Sequence, residues 1–193
     1  MIRAFLGIDL PKELKKDINT LGYIQVPTGI RLKWVEEPNF HITLKFFGSV
    51  SESTLKKIHK QVKGVGEEFS GFKLEVEEVG MFLGKDKAPR VVWLGLTPSE
   101  PLLKLHQALE KSFKKLKLNK KKENFHPHIT LFRVKSVDSM RSFEKYYEDL
   151  RLKAEKIKGF AFFVKELVIF KSTLTPRGPV YEKLYQVELK HGE

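Results

Sequence analysis

The sequence contains no cysteine among its 193 residues. Disulfide frameworks, zinc ribbons and thiol nucleophiles are therefore excluded as explanations of its fold or its chemistry. It also has no apolar run close to the roughly 20 residues that cross a bilayer, and no small-residue cleavage site after its first residues. We therefore expect a cytoplasmic protein that does not associate with a membrane.

Acidic residues are scarce relative to basic ones. Lys and Arg number 36 against 24 Asp and Glu, which gives a net charge of +12. Such a field attracts polyanions, so nucleic acid or another phosphate-rich ligand is the natural partner, although the same charge also serves solubility. The chain is long enough to bury a core as one domain or as two small lobes that share it.

No linker rich in Gly or Ser divides the chain, and short apolar runs alternate with amphipathic segments. The periodicity predicts a helix near residues 12–21, a second near 52–62 and the longest helix from about Pro101 to Leu116. Strands are predicted over 3–10, 72–76, 91–96, 128–134, 160–170 and 180–189. The lysine-rich run 114–122 predicts a solvated loop. The pattern as a whole indicates an α+β protein.

One pentapeptide occurs twice. Phe40-His41-Ile42-Thr43-Leu44 is nearly repeated as Pro127-His128-Ile129-Thr130-Leu131, and each copy precedes a segment with helical periodicity. A repeated unit of this kind predicts two related lobes. In a strand, alternate side chains share a face, so each copy presents one imidazole and one hydroxyl opposite its apolar residues.

Two imidazoles on opposite sides of one phosphorus atom suit in-line cleavage of a phosphoester. One neutral ring takes a proton from water, and the other, as imidazolium, gives a proton to the leaving oxygen. The threonine hydroxyls would donate to the non-bridging oxygens. His41 and His128 are the candidate pair, and the symmetry of the motifs leaves open which is the acid.

Two alternatives compete with this reading. His126 and His128 share a face and would suit a metal, but no carboxylate lies near either motif, so we expect no metal. The chain would also serve as an RNA-binding module without chemistry, with Phe47, Trp34 or Tyr185 stacking on bases. That reading does not explain why the same motif occurs twice.

These features resemble the 2H phosphoesterase superfamily and, within it, the 2′-5′ RNA ligase-like family of RNA 2′,3′-cyclic phosphodiesterases. The resemblance rests on the two motifs, on the opening segment Arg3 to Leu10 and on Arg133, and it covers nearly the whole chain. It implies one domain over residues 1–193 with motifs at 41–44 and 128–131. It also implies two pseudo-symmetric lobes, each a mainly antiparallel sheet with helices on the outside, flanking a central cleft.

The resemblance further implies hydrolysis of RNA 2′,3′-cyclic phosphate ends to a 2′-phosphate, without metal or cofactor. His41 would be the proton donor and His128 the proton acceptor. The partners implied are RNA ends, including tRNA fragments or nucleotides, and the protein would be a monomer. Reversible 2′-5′ RNA ligation is the alternative reaction, although the Lys-x-Asp-Gly motif of ATP-dependent ligases is absent.

Four residues are expected to bind substrate: Thr43, Thr130, Arg133 and Lys45. By strict alternation Arg133 turns to the core, so the strand must end or bulge near Leu131 if the guanidinium is to reach substrate; otherwise Arg133 is structural. By the same alternation Lys45 lies on the His41 face.

Overall fold

The computed structural model describes residues 1–116, 118, 124–176 and 178–190. The lysine-rich run at 114–122 lies mostly outside the described residues. Of this run, Lys114–Leu116 forms a 3₁₀ turn. Within the described residues, no helix combines the length and the apolar character that crossing a membrane requires.

Within the described residues, four α-helices pack on one side of a sheet. They are α1 (Lys12–Leu21), α2 (Glu52–Gly66), α3 (Glu100–Phe113) and α4 (Met140–Ala154). The last three begin at serines whose side chains accept a backbone N–H three residues on: Ser51, Ser99 and Ser139. The helix predicted to be longest has 14 residues and is shorter than α2 and α4, with 15 each, because the chain tightens into the 3₁₀ turn after Phe113.

In the part of the chain that the structure describes, the sheet has nine strands: β1 (Ile2–Asp9), β2 (Ile30–Trp34), β3 (His41–Val50), β4 (Phe72–Leu83), β5 (Pro89–Leu96), β6 (His128–Val137), β7 (Ala161–Val164), β8 (Glu166–Thr175) and β9 (Gly178–Glu188). The run predicted at 160–170 is two strands rather than one. The sequence analysis also missed β2, although its alternating apolar and polar residues carry a strand signal.

The strand order is β7-β4-β5-β6-β3-β1-β8-β9, with β2 paired to β6 and neighbours antiparallel. The sheet has two halves that meet where Ile42 of β3 pairs with Ile129 of β6. In one half β1 flanks β3, which leads into α2; in the other β5 flanks β6, which leads into α4. The predicted α+β class, an antiparallel sheet with helices, is confirmed.

The two faces of the sheet differ in character. We call the helix face the one that carries Ile42, Leu44, Ile129 and Leu131; these residues join buried residues of all four helices in one core. The opposite, motif face carries His41, Thr43, His128 and Thr130, all half-buried. The alternation predicted for both motifs therefore describes their first four residues correctly.

A β-bulge follows each motif. The pairing of β1 with β3 skips Leu44, and the pairing of β5 with β6 skips Leu131. An extra residue reverses the alternation beyond it, because the side-chain period of a strand is two. Lys45 therefore shares the helix face with its partner Leu6, whereas Arg133 lies on the motif face.

Candidate active site

The ring of His41 is held by hydrogen bonds at both nitrogens. Its Nδ1 lies 2.6 Å from the carbonyl oxygen of Asn39. Since a carbonyl oxygen only accepts, Nδ1 carries the proton of the neutral ring. The other nitrogen, Nε2, lies 2.8 Å from Thr43 Oγ1, so the hydroxyl donates to Nε2. His41 thus presents a basic nitrogen on the motif face.

His128 repeats this arrangement in the other half of the sheet. Its Nδ1 lies 2.6 Å from the carbonyl oxygen of His126, again two residues upstream. Nδ1 therefore carries the proton here as well, and Nε2 is the nitrogen left for chemistry. Both rings have the same tautomer because in both the chain enters the strand with a carbonyl directed at the ring.

The strand register brings the two motifs together. Ile42 pairs with Ile129, and one further step of the antiparallel register on each side sets His41 beside Thr130 and Thr43 beside His128. The positive charge of protonated His128 lowers the pKa of His41, so the His41 ring lies in the electric field of His128. The two imidazoles and two hydroxyls form one polar group where the halves meet.

Aromatic rings surround both imidazoles. The His41 ring lies 4.8 Å from that of Phe5 and 5.3 Å from that of Tyr181, centroid to centroid. The His128 ring lies 5.0 Å from that of Phe82. Burial against these apolar surfaces lowers the pKa of both histidines, that of His41 to about 4. In the free protein at neutral pH, His41 is therefore uncharged.

The charged neighbours of the two rings are different. Asp9 is the cross-strand partner of His41, whereas Gly95 is the partner of His128. The carboxylate of Asp9 acts to raise the pKa of His41, against the larger effect of burial. The guanidinium of Arg133 acts with burial to lower the pKa of His128. Lys15 lowers the pKa of His41 by more than Asp9 raises it, so in the free protein the charges around both rings disfavour an imidazolium.

Asp9 is itself fixed by two lysines. Its carboxylate oxygens lie 2.6 Å from Lys15 Nζ and 2.6 Å from Lys183 Nζ. Burial raises the pKa of Asp9, but the hydrogen bonds and charges of these lysines outweigh it and hold the pKa below its usual value. Asp9 therefore stays ionised beside His41.

Arg133 reaches the motif face through the bulge at Leu131. Its side chain is exposed, and its charge acts on both His128 and Tyr181. Of the two structural possibilities open for Arg133, the strand has the bulge that turns the guanidinium toward the histidines.

Lys45 is a correction. The sequence analysis placed it on the His41 face, and this was wrong, because the bulge at Leu44 turns it to the helix face. Its Nζ lies 2.8 Å from Oε1 of Glu110 on α3. Lys45 therefore pairs with α3 on the helix face of the sheet, on the side opposite to the motif face.

The aromatic residues proposed for base stacking are also corrected. Phe47 is buried in the core, Trp34 packs with Phe132 at 4.8 Å, and Tyr185 stacks on His59 at 4.0 Å. The bulge at Leu44 explains why Phe47 lies on the helix face, because it reverses the alternation of the side chains after it. The aromatic residue exposed on the motif face beside Phe5 is instead Phe46, at 57% exposure.

Known proteins are similar to this chain in sequence and in architecture. The family model described as the 2′-5′ RNA ligase superfamily matches residues 12–174. The chain belongs to the 2′-5′ RNA ligase superfamily. The family expected from the paired motifs is confirmed.

Individual members of this superfamily match along almost their whole length. The chain is 32% identical over 191 residues to the RNA 2′,3′-cyclic phosphodiesterase of Thermotoga maritima, covering 99% of this chain and 97% of the relative. It is 32% identical over 181 residues to the RNA 2′,3′-cyclic phosphodiesterase of Methanocaldococcus jannaschii, covering 94% and 97%. A crystal structure of E. coli LigT complexed with 3′-AMP superposes with a TM-score of 0.77 at 27% identity, covering 97% of this chain and 98% of LigT.

Three site residues of this superfamily member escaped the sequence analysis. Tyr181 faces His41 from β9, and Asp9 pairs with it from β1. A Cβ on Gly7 would meet the Ile42 carbonyl oxygen at 2.7 Å and the His41 ring at 3.5 Å, so glycine lets β1 and the ring approach closely. Asp9 and Gly7 lie in the quoted opening segment, but only cross-strand register shows what they contact.

Among the described residues, no third metal ligand accompanies His126 and His128. The His126 and His128 rings lie 6.2 Å apart. Over the described residues, no group of three or more His, Asp or Glu side chains is placed to hold a metal ion.

Replacing Lys45 by methionine tests the corrected placement. Loss of the ion pair with Glu110 should lower the free energy of unfolding by about 1 kcal/mol, as expected for a partly exposed pair. The KM for an RNA substrate should not change, because Lys45 lies behind the sheet. Urea unfolding and steady-state kinetics measure the two effects. A raised KM with unchanged stability would show that Lys45 binds substrate and would contradict its placement on the helix face.

Proposed function

We propose that this protein hydrolyses RNA ends that carry a 2′,3′-cyclic phosphate and leaves a 2′-phosphate, using His41 and His128 without a metal. The observation that carries the proposal is the pair of imidazoles on adjoining strands, each protonated at Nδ1 and each with Nε2 on the motif face. The names of the superfamily members in Thermotoga maritima and Methanocaldococcus jannaschii agree with this substrate.

The proposed reaction is one in-line displacement. Nε2 of His128 accepts a proton from water as the water oxygen attacks phosphorus. The bond from phosphorus to the 3′-oxygen breaks, and that oxygen receives the proton held on Nε2 of His41. One proton has then moved from His41 to His128, and exchange with solvent restores the starting state.

The division of roles is the one that the resemblance to the family implies. Asp9 acts to raise the pKa of His41, the proposed donor, but Lys15 lowers it by more, and Arg133 lowers the pKa of His128, the proposed acceptor. Burial holds the pKa of His41 near 4 in the free protein. The negative charge of a bound cyclic phosphate would raise it, because an opposite charge in a poorly solvated site favours the charged ring.

The remaining groups would hold the phosphate. Thr43 and Thr130 would donate to its non-bridging oxygens, once Thr43 turns from Nε2 of His41. Arg133 supplies a positive charge beside His128 for the charge that grows on these oxygens. Both motifs lie on one chain, so the proposal needs only a monomer. It places the enzyme in the cytoplasm, acting on RNA ends such as tRNA fragments or on cyclic nucleotides.

A short RNA ending in a 2′,3′-cyclic phosphate tests the proposal directly. We expect a product that carries its phosphate on the 2′-oxygen, formed at the same rate with and without EDTA. Adding an RNA with a free 5′-hydroxyl reports the ligation alternative, because a 2′-5′ linkage would form. A 3′-phosphate product, or full inhibition by EDTA with rescue by one metal, would contradict the mechanism; binding without turnover would favour the RNA-binding module.

A further inference from the structure

The cationic side chains around the histidines fall into two groups. Lys15 and Lys183 are both paired with the carboxylate of Asp9 on the His41 side. Arg133, Lys33 and Arg3 are exposed and have no carboxylate oxygen within 4.0 Å among the residues that the structure describes. The unpaired positive charge beside the site therefore lies away from Asp9.

Lys33 is placed beside Arg133 by strand pairing. The two are direct cross-strand partners of β2 and β6, so their side chains share the motif face. Arg133 in turn acts on His128, which makes Lys33 the next cation outward from the reaction centre along this direction. His128, Arg133 and Lys33 therefore follow one another outward along the motif face.

The β8–β9 hairpin borders the far side of Lys33. A Cβ built on Gly178 would lie 3.6 Å from Lys33 Nζ, and the Asn39 amide donates to the Pro179 carbonyl oxygen at 2.8 Å. Glu36 Oε1 borders the same point, 3.9 Å from that Cβ position, but it makes no ion pair with Lys33 among the described residues. Lys33 is thus a cation held between β6 and the hairpin.

An RNA end has one feature that a cyclic mononucleotide lacks. The 5′-oxygen of its terminal nucleoside carries a further phosphate, one nucleotide upstream of the cyclic phosphate. If Arg133 serves the reacting phosphate, that upstream phosphate needs a second cation next along the motif face. A free lysine is suited to this contact, because phosphate binding is dominated by such charges.

We infer that Lys33 binds the phosphate immediately upstream of the cyclic phosphate, so that the site prefers an RNA oligonucleotide to a nucleoside 2′,3′-cyclic monophosphate. The RNA strand then leaves the reaction centre across β6 and β2, past Gly178 of β9. This inference rests on the proposed function, since it assigns the rest of the same substrate.

The test compares two substrates that differ by one nucleotide: adenosine 2′,3′-cyclic phosphate and the dinucleotide ApA with a 2′,3′-cyclic phosphate end. In Lys33→Gln, kcat/KM for the dinucleotide should fall about fivefold, and the slope of its logarithm against log salt should weaken by about 1. The value for the mononucleotide should stay unchanged. Lys33→Arg should keep the dinucleotide preference.

Lys56→Gln is the matched control, because Lys56 is equally exposed but lies on α2, on the other side of the sheet. It should leave both substrates unaffected. An equal loss on both substrates in Lys33→Gln, or no loss on the dinucleotide, would overturn the assignment of Lys33 while leaving the catalytic proposal intact. If the unaltered protein cleaves neither substrate, the proposed function fails and the assignment fails with it.

Discussion

Replacing His41 or His128 by alanine should each lower kcat for cyclic phosphate hydrolysis by about 10²-fold to 10⁴-fold, the contribution of one positioned proton-transfer group. Each ring offers Nε2 to the motif face and has its Nδ1 fixed by a backbone carbonyl. The alanine substitution should therefore remove mainly a proton-transfer group rather than a substrate contact. Single-turnover cleavage of a short RNA measures the effect, and fluorescence polarisation with a labelled RNA should show little change in Kd.

The double variant and a distant histidine sharpen this test. If the two rings act in one step, removing both should cost about as much as removing one, because groups that work as a unit are not additive. His59→Ala is the control, because His59 lies on α2, away from the motifs, where its ring stacks on that of Tyr185 at a centroid distance of 4.0 Å. A parallel loss of RNA affinity and rate in the single variants would instead favour the RNA-binding module.

The pH dependence of kcat/KM should be bell-shaped, with its maximum on the acid side of pH 6.5. This parameter reports the free protein, where burial lowers the pKa of both histidines, that of His41 to about 4. Below the lower pKa both rings are protonated and no base remains. Above the higher pKa of the pair both rings are neutral and no acid remains, so the rate should fall about tenfold per pH unit there.

The profile of kcat should lie at higher pH than that of kcat/KM. A bound cyclic phosphate is an anion and favours the imidazolium form of each ring, so both limbs should move upward in the complex. Replacing Asp9 by asparagine removes the charge that acts to raise the pKa of His41, and the acid limb of kcat/KM should then move to lower pH. A rate that stays flat from pH 5 to 9 would contradict paired imidazoles.

Much of the site followed from local pattern. The repeat at His41 and His128 predicted two strands with one imidazole and one hydroxyl on the same face, and the burial of Ile42 and Ile129 agrees. The helix predicted near 52–62 was equally predictable from its periodicity, and Leu55, Ile58 and Val62 on one side of α2 are buried. Periodicity, capping and alternation act over a few residues, so a single sequence carries them in full.

The sequence by itself determined the two motifs, the faces of their first four residues, the basic charge and the family. Only the tertiary structure decided that Arg133 faces the histidines while Lys45 faces α3, and that Asp9 and Tyr181 border His41. The bulges at Leu44 and Leu131 arise in the pairing of β3 with β1 and of β6 with β5. Such pairing joins residues far apart along the chain, and one extra residue in it exchanges the faces of the side chains that follow, up to the next bulge.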